Sequence, residues 1–408
     1  MELIKLDKSH LKSLKKLLKF SFPPENEQDE EWGNLIIKNE KILDDAFGWF
    51  DGDTLAATYG SYSSQIMLRG EIFDVKNIEN VATLPTYRKK GLIRKGLIKE
   101  LESSCDSKFH FHCLGPFKHQ FYRNLGFENA LDSKKLDSDF DFLSKKTDAS
   151  GYKTKMGKVK EDSKLRDDIT QVKRWFWEHS RYNPSKVHEV FTETFNQMSK
   201  KYIAVTYNEN FEPKGYIIYH EKDETLKIEI MQYIDLQAFY ALKQFLLSYQ
   251  DQVKKIIFFS IPLDFPIDLL IDNYWLRGKK FSFQDNPWHM FRIVNLEKVL
   301  NKICKEFPDQ DIYLKVSDEI LNKNNGIFLF SKSKIERVES YSGKIDAKIS
   351  ISDLVPLISG RKSSFELYLN GKLTVPKKNV IYNSKNLVPQ VIADFDEIFP
   401  KVNTFSFW

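Results

Sequence analysis

Four consecutive residues, Arg88-Lys89-Lys90-Gly91, put three positive charges and a glycine between an apolar, β-prone segment and a run with helical spacing. The segment Val81-Ala-Thr-Leu-Pro-Thr-Tyr leads in and turns at Pro85, and Leu92, Ile93, Leu97, Ile98 and Leu101 lead away on one stripe. A basic, glycine-containing loop that opens a helix makes an anion site. The first-turn N–H groups are unpaired, the helix dipole favours negative charge there, and a residue without Cβ lets a phosphate approach. A solvated basic turn fits the same residues, and residue types alone leave both readings open. His110 and His112 share one face of a predicted strand, a spacing that metals use, but no third ligand with partner spacing accompanies them. A lining or core role is therefore expected for both, and no metal site.

The elements that position this loop belong to a chain of 408 residues, too long for one core and suited to two or three domains. With 41% hydrophobic and 14% aromatic residues, each domain has material for a core. A formal charge of +5 is small beside 62 basic and 57 acidic side chains, so no nucleic-acid partner is expected. Cys105, Cys113 and Cys304 form no disulfide framework and suit a reducing compartment. No signal-peptide pattern or membrane-length apolar run is visible, so a cytoplasmic location without a membrane partner is expected.

Hydrophobic periodicity divides the chain into three parts. Residues 1–150 read as an α/β domain in the order β-α-α-β-β-β-α-β-α-β, with a second helix at Glu30–Asn39, a hairpin turning at Asp51-Gly-Asp53, and a strand from Phe73 into the basic loop. Residues 130–165 read as a strand plus a linker. Residues 151–294 repeat the order, with helices at Asp167–His179 and Val187–Ser199. Here Tyr233-Ile-Asp-Leu-Gln237 stands where the basic loop would be, and residues 288–294 are expected to close the unit. Residues 295–408 read as a smaller α+β domain ending in Phe405-Ser-Phe-Trp408. Trp175-Phe-Trp177 reads as interface or core.

The stretch from Val81 to Arg94 resembles the pyrophosphate loop of the GNAT N-acetyltransferases, Arg/Gln-x-x-Gly-x-Gly/Ala. Ile93 stands where a small residue is usual, and with Arg94 it is similar to the enhanced-intracellular-survival (Eis) branch. Phe121-Tyr122-Arg-Asn-Leu-Gly126-Phe127 is similar to that branch's tyrosine segment. Asp353-Leu-x-x-Leu357-Ile-Ser-Gly360 and Leu369-Asn-Gly-Lys-Leu373 fit its C-terminal domain. The resemblance covers the whole chain. It implies two tandem GNAT-like mixed α/β domains, the second without a cofactor loop, plus a sterol-carrier-protein-like α+β domain.

It also implies acetyl-CoA as co-substrate and no metal. Arg88, Lys89, Lys90, Gly91, Leu92 and Ile93 would receive the diphosphate; Arg94 either adds a charge or is solvated. The main chain of Val81, Ala82 and Thr83 would pair with the pantetheine arm. Tyr122 would be the general acid. Full transfer of a proton from a tyrosine (pKa about 10) to a thiolate (about 8.5) is uphill by roughly 2 kcal/mol. So Tyr122 either donates a strong hydrogen bond or has its pKa lowered by neighbours. The C-terminal carboxylate of Trp408 would be the base, its pKa raised from about 3.5 by burial among Phe405, Phe407 and Trp408. The implied acceptor is a primary amine of a small polyamine or aminoglycoside-like molecule. Trp32, Trp49 and the two histidines are candidates for its pocket, and Asp29, Glu30 and Glu31 for the mouth; Phe407, not an acid, precedes the terminus. Protein lysine acetylation, transfer of a longer acyl group, and a non-catalytic acyl-CoA- or lipid-binding protein are the alternatives. A homo-oligomer, trimer or hexamer, is implied by resemblance alone.

Overall fold

The computed structural model describes residues 1–23, 43, 45–179, 201–262, 265–303, 311–332, 334–339, 341–376 and 388–401. The helices expected at Glu30–Asn39 and Val187–Ser199 lie outside them. The chain forms two compact units, one built from Met1–Ile66, Glu71–Ala130 and His289–Val402, the other mainly from Leu131–Trp288.

In the first unit β1 (Glu2–Lys5) lies antiparallel to β2 (Ala46–Asp51). The chain turns at Gly52, whose φ of 57° suits a residue without Cβ, into β3 (Thr54–Leu68). Helix α1 (Leu11–Ser21) buries Leu14, Leu17 and Leu18, as their spacing predicts. β4 (Glu71–Thr83) leads to the basic loop and α2 (Leu92–Ser104), then to β5 (Phe111–Leu114) and the short α3 (His119–Arg123). These strands lie in sheet order β1-β2-β3-β4-β5.

The strands of the second unit lie in the order β6-β11-β10-β9-β8-β7. Its members are β6 (Glu128–Asp139), β7 (Lys153–Lys158), β8 (Tyr202–Tyr207), β9 (Pro213–Lys222), β10 (Thr225–Tyr233) and β11 (Lys255–Ile261). Helices α4 (Ser163–His179) and α5 (Leu236–Leu247) accompany them. Within residues 130–165 the expected strand is β6, but the expected linker contains a further strand: β7 pairs along its whole length with β8. Its polar sequence, Lys-Thr-Lys-Met-Gly-Lys, belongs to the last strand of the sheet, where exposed lysines discourage further pairing.

The strand β12 (Phe281–Ile293) corrects a second expectation. At residues 288–294, read as closing the second domain, Met290, Phe291, Arg292 and Ile293 pair antiparallel with Leu114, Cys113, His112 and Phe111 of β5 and so belong to the first compact unit. His289–Ile293 are all buried, so this segment lacks the alternation of a half-exposed strand and its periodicity carries no assignment.

Helix α6 (Leu296–Ile303) follows, burying Leu296, Val299, Leu300 and Ile303 at helical spacing. The C-terminal part of the first unit is a five-stranded sheet, β15-β14-β13-β16-β17. Its strands are β13 (Ile312–Ser317), β14 (Gly326–Ser331), β15 (Lys334–Val338), β16 (Ala347–Ser350) and β17 (Leu373–Thr374); α7 (Ile351–Ile358), α8 (Ser364–Leu369) and α9 (Gln390–Ile398) pack with it. An ion pair of 3.0 Å from Lys372 to Asp353 joins the two C-terminal motifs singled out in the sequence.

His112 lies inside the first unit, 1% exposed, with Nε2 2.9 Å from the Ser104 Oγ of α2. Burial, and then the charges of Lys76 and Arg292, push its imidazole down to about 3. The unfolded chain, with a histidine near 6.5, takes up the proton first. This contribution to stability is therefore complete above about pH 6.5 and is lost as pH falls toward 3. Between pH 7 and pH 5 the loss is about 2 kcal/mol, read as a drop in the urea midpoint. That drop shrinks in His112→Asn; the same pH dependence in both proteins would show that other groups control it.

Candidate active site

The basic loop is built for anion binding by its backbone. Pro85–Tyr87 form a single helical turn, Lys89 and Gly91 take φ of 63° and 75°, and α2 starts at Leu92. Gly91 is the N-cap and no side chain caps the helix, so no side-chain oxygen occupies the first-turn donors. A Cβ on Gly91 would meet nothing within 4 Å, so its left-handed φ, not crowding, requires glycine. Arg88, Lys89, Lys90 and Arg94 are exposed around this terminus. Arg88 Nε donates to the Thr83 carbonyl at 3.3 Å, and Lys90 Nζ lies 4.5 Å from the centroid of the Tyr87 ring. Tyr87 is itself held by a 2.9 Å hydrogen bond to Asp51. Leu92 and Ile93 are buried beneath the loop and anchor the helix start.

Beside the loop, two parallel strands part. β4 pairs with β5 only through Val75–Phe111, Lys76–His112 and Asn77–Cys113, although β4 continues to Thr83. At and just past the last pair, Asn77 and Ile78 are both buried, breaking the alternation, and Asn80 takes φ of 54°. A left-handed residue inside a strand bends it, and asparagine tolerates that conformation better than most residues. The main chain of Val81–Thr83 therefore leaves β5. Ala82 is buried, and Val81 packs on the cluster that holds Leu92, Ile93 and Tyr122.

Tyr122 is the residue of α3 that enters this cluster, which also contains Trp49, Ala57, Leu114, Leu125 and Met290. Its ring meets Phe117, Phe121 and Phe127 edge-on, with centroids 5.5, 5.0 and 5.9 Å away. At 2% exposure, burial pushes its hydroxyl above the ordinary tyrosine value, and no charged neighbour opposes this. Of the two routes open from sequence, lowering by neighbours is absent among the described residues; a neutral donor remains.

The turn after Tyr122 is held from outside α3. Leu125 N and Phe127 N both donate to the Tyr122 carbonyl, at 2.9 and 3.2 Å. The Leu125 carbonyl in turn accepts from Arg292 Nε at 2.9 Å. Gly126 takes φ of 80°, and a Cβ there would stand 2.7 Å from Arg292 Nε. Arg292 is fully buried: one terminal nitrogen donates to the Ile293 carbonyl at 2.7 Å and the other to both oxygens of Asp318 at 2.7 and 2.8 Å. Burial lowers the guanidinium from its ordinary value and Asp318 works against that.

The equivalent helix of the second unit is closed to anions. Asp235 caps α5, its Oδ1 accepting from Ala238 N at 2.7 Å, while Tyr152 donates to its other oxygen at 2.8 Å. A carboxylate already occupies the positive end of that helix.

The structure thus gathers Val81, Ala82, Thr83, the loop from Arg88 to Arg94, and Tyr122 into one region. His112 packs against α2 and half-buried His110 lies edge-on to Phe73, so neither stands in a metal cluster; among the described residues there is no group of three or more candidate ligands. Trp49 joins the Tyr122 cluster. Trp408, Phe405, Phe407, Asp29, Glu30, Glu31 and Trp32 lie outside the described residues. Sequence reasoning missed Asn80, Arg292 and Asp318. The available signal was a charge inside the apolar run Met290-Phe-Arg-Ile-Val, which requires a partner.

Comparison with known families matches residues 2–130 and 171–293 to acetyltransferase (GNAT) domains and 296–405 to a sterol carrier protein domain. A comparison with curated proteins finds no match. Among solved structures, a probable N-acyltransferase of unknown function from Enterococcus faecalis superposes with a TM-score of 0.81 at 19% identity, covering 100% of this chain and 98% of its own. A GCN5-related N-acetyltransferase from Anabaena variabilis gives 0.78 at 17%, covering 100% and 99%. Eis1 from Mycobacterium abscessus gives 0.76 at 16%, covering 100% of both chains. At these identities the likeness is one of fold.

The contrast between the two helix starts sets an expectation. Asp235→Ala removes a cap and costs about 1 kcal/mol of stability, measurable by urea unfolding. Calorimetry with acetyl-CoA should still find one site per chain; a second site in the variant would mean that the carboxylate alone closes the second unit.

Proposed function

We propose that this chain, which belongs to the GNAT acetyltransferases of the Eis type, with two GNAT domains and a sterol carrier protein domain, acetylates primary amines of a small polyamine or aminoglycoside-like acceptor at the first unit's site. The observation that carries this reading is the uncapped, glycine-started helix at Leu92, beside a strand that has left its neighbour and in one cluster with Tyr122. A diphosphate needs N–H donors and positive charge, which α2 and the exposed Arg88, Lys89 and Lys90 offer. An extended pantetheine arm needs a strand to pair with, which Val81–Thr83 present past the end of the β4–β5 pairing.

Acetyl-CoA supplies the activated acetyl group: the amine nitrogen attacks the thioester carbonyl and the carbon–sulfur bond breaks. Tyr122 serves this step as a neutral donor. Its raised pKa keeps the proton on oxygen, so it stabilises the departing sulfur through a hydrogen bond that strengthens as negative charge develops. The aromatic and aliphatic wall around it keeps water away from that charge. The attacking amine must lose a proton, and the Trp408 carboxylate is assigned as its acceptor on the family resemblance. Cys105 and Cys113, both buried, accord with a reducing cytoplasm, and the resemblance further suggests a homo-oligomer.

CoA release against a panel of polyamines and aminoglycosides, followed with a thiol reporter, tests the activity; no release on any amine would refute it. Tyr122→Phe should lower kcat at least tenfold with little change in acetyl-CoA affinity. Unchanged turnover removes Tyr122 from the mechanism. A short extension after Trp408 moves the carboxylate and should lower kcat/KM about tenfold or more. Full activity with the extension rules that base out.

A further inference from the structure

We infer that Arg292 and Asp318 are positioning residues for the acetyl transfer, through which the strand after the second unit and the C-terminal domain hold the Tyr122 hydroxyl at the thioester. This rests on the reading of Tyr122 as the donor and goes beyond it, because neither residue lies in the loop, the splayed strands or α3.

The path is continuous. Asp318 is fixed by the N–H groups of Ile320 and Leu321, both donating to its Oδ1 at 3.0 and 3.1 Å, and by Asn324 Nδ2 on its Oδ2 at 2.9 Å. Asn325 clamps its backbone, accepting from Asp318 N and donating to its carbonyl, each at 2.7 Å. The carboxylate so held grips one nitrogen of Arg292 with both oxygens, leaving Nε aimed at the Leu125 carbonyl. Leu125 N closes the turn on the Tyr122 carbonyl. Gly126 leaves no room for a side chain above the guanidinium, so the turn cannot shift without moving Arg292.

The far side of the same turn is tied independently. Arg123, the last residue of α3, donates to both oxygens of Glu128 at 2.7 and 2.8 Å. Asp353 and Arg361, from the C-terminal domain, act electrostatically on Arg123 and Glu128 respectively. A short helix of Phe121–Arg123 and its neighbours has little rigidity of its own. Catalytic geometry tolerates little displacement, so its orientation has to come from these outside contacts.

A positioning role differs from a purely structural one in what it does without the tyrosine hydroxyl. The full chain carries Arg292→Lys or Asp318→Asn, each alone and combined with Tyr122→Phe, and kcat and KM for acetyl-CoA are measured on an acceptor that the parent protein uses. Arg292→Lys keeps a cation beside Asp318 but cannot serve Asp318 and Leu125 together, so it tests the contact with the fold preserved. Each single variant is expected to lose about tenfold in kcat with KM for acetyl-CoA within about twofold. On the Tyr122→Phe background the same changes should cause no further loss, because the group they orient is gone. A further tenfold loss on that background overturns the inference, as does unchanged kcat in Arg292→Lys or a loss that follows only the unfolded fraction in a thermal melt. Tyr122→Phe without effect would instead sink the premise, a separate outcome visible in the single variant.

Discussion

A buried guanidinium cannot be left partly satisfied, and Arg292 imposes that constraint on the first unit. Its donors reach the Leu125 carbonyl, the Ile293 carbonyl and both Asp318 oxygens, with no exposure to water. Removing one partner of such a pair typically costs about 3–5 kcal/mol, because the remaining charge stays buried. The pair is therefore weak evidence of net stability, and its consequence is geometric. The guanidinium accepts one arrangement of the turn after Tyr122, one register of β12 against β5, and one placement of the loop that carries Asp318. Three segments distant in sequence meet at one side chain.

The two GNAT domains show how little separates an anion site from a filled one. Both begin a helix after a long strand. In the first, glycine in a left-handed conformation starts α2 and leaves the dipole open, with exposed cations around it. In the second, Asp235 supplies the negative charge from within the chain. The same helix-terminus physics leaves backbone donors open in one case and stabilises the fold in the other. The left-handed Asn80 lies just past the last β4–β5 pair, where the two strands part.

Much of this was legible in the residues. The hairpin at Gly52, the amphipathic stripe of α1, the start of α2 at Leu92 and the alternation of β10 follow from local periodicity and turn chemistry. The segment 130–165 was misread because β7 is a polar strand at the end of its sheet, where solubility, not burial, sets the composition. The segment 289–294, buried throughout, carries no alternation, and its pairing partner is about 180 positions away in sequence.

Local order by itself determined the loop chemistry, the element types and the candidate tyrosine, because N-terminal donors, glycine torsions and apolar stripes act over a few residues. Only the tertiary structure decided where β12 inserts, how Asn80 opens the strands, and that Tyr122 is raised by burial instead of lowered by a neighbour. Those outcomes depend on long-range pairing and on the dielectric surroundings that packing creates, neither of which is encoded within a turn of helix or a single strand.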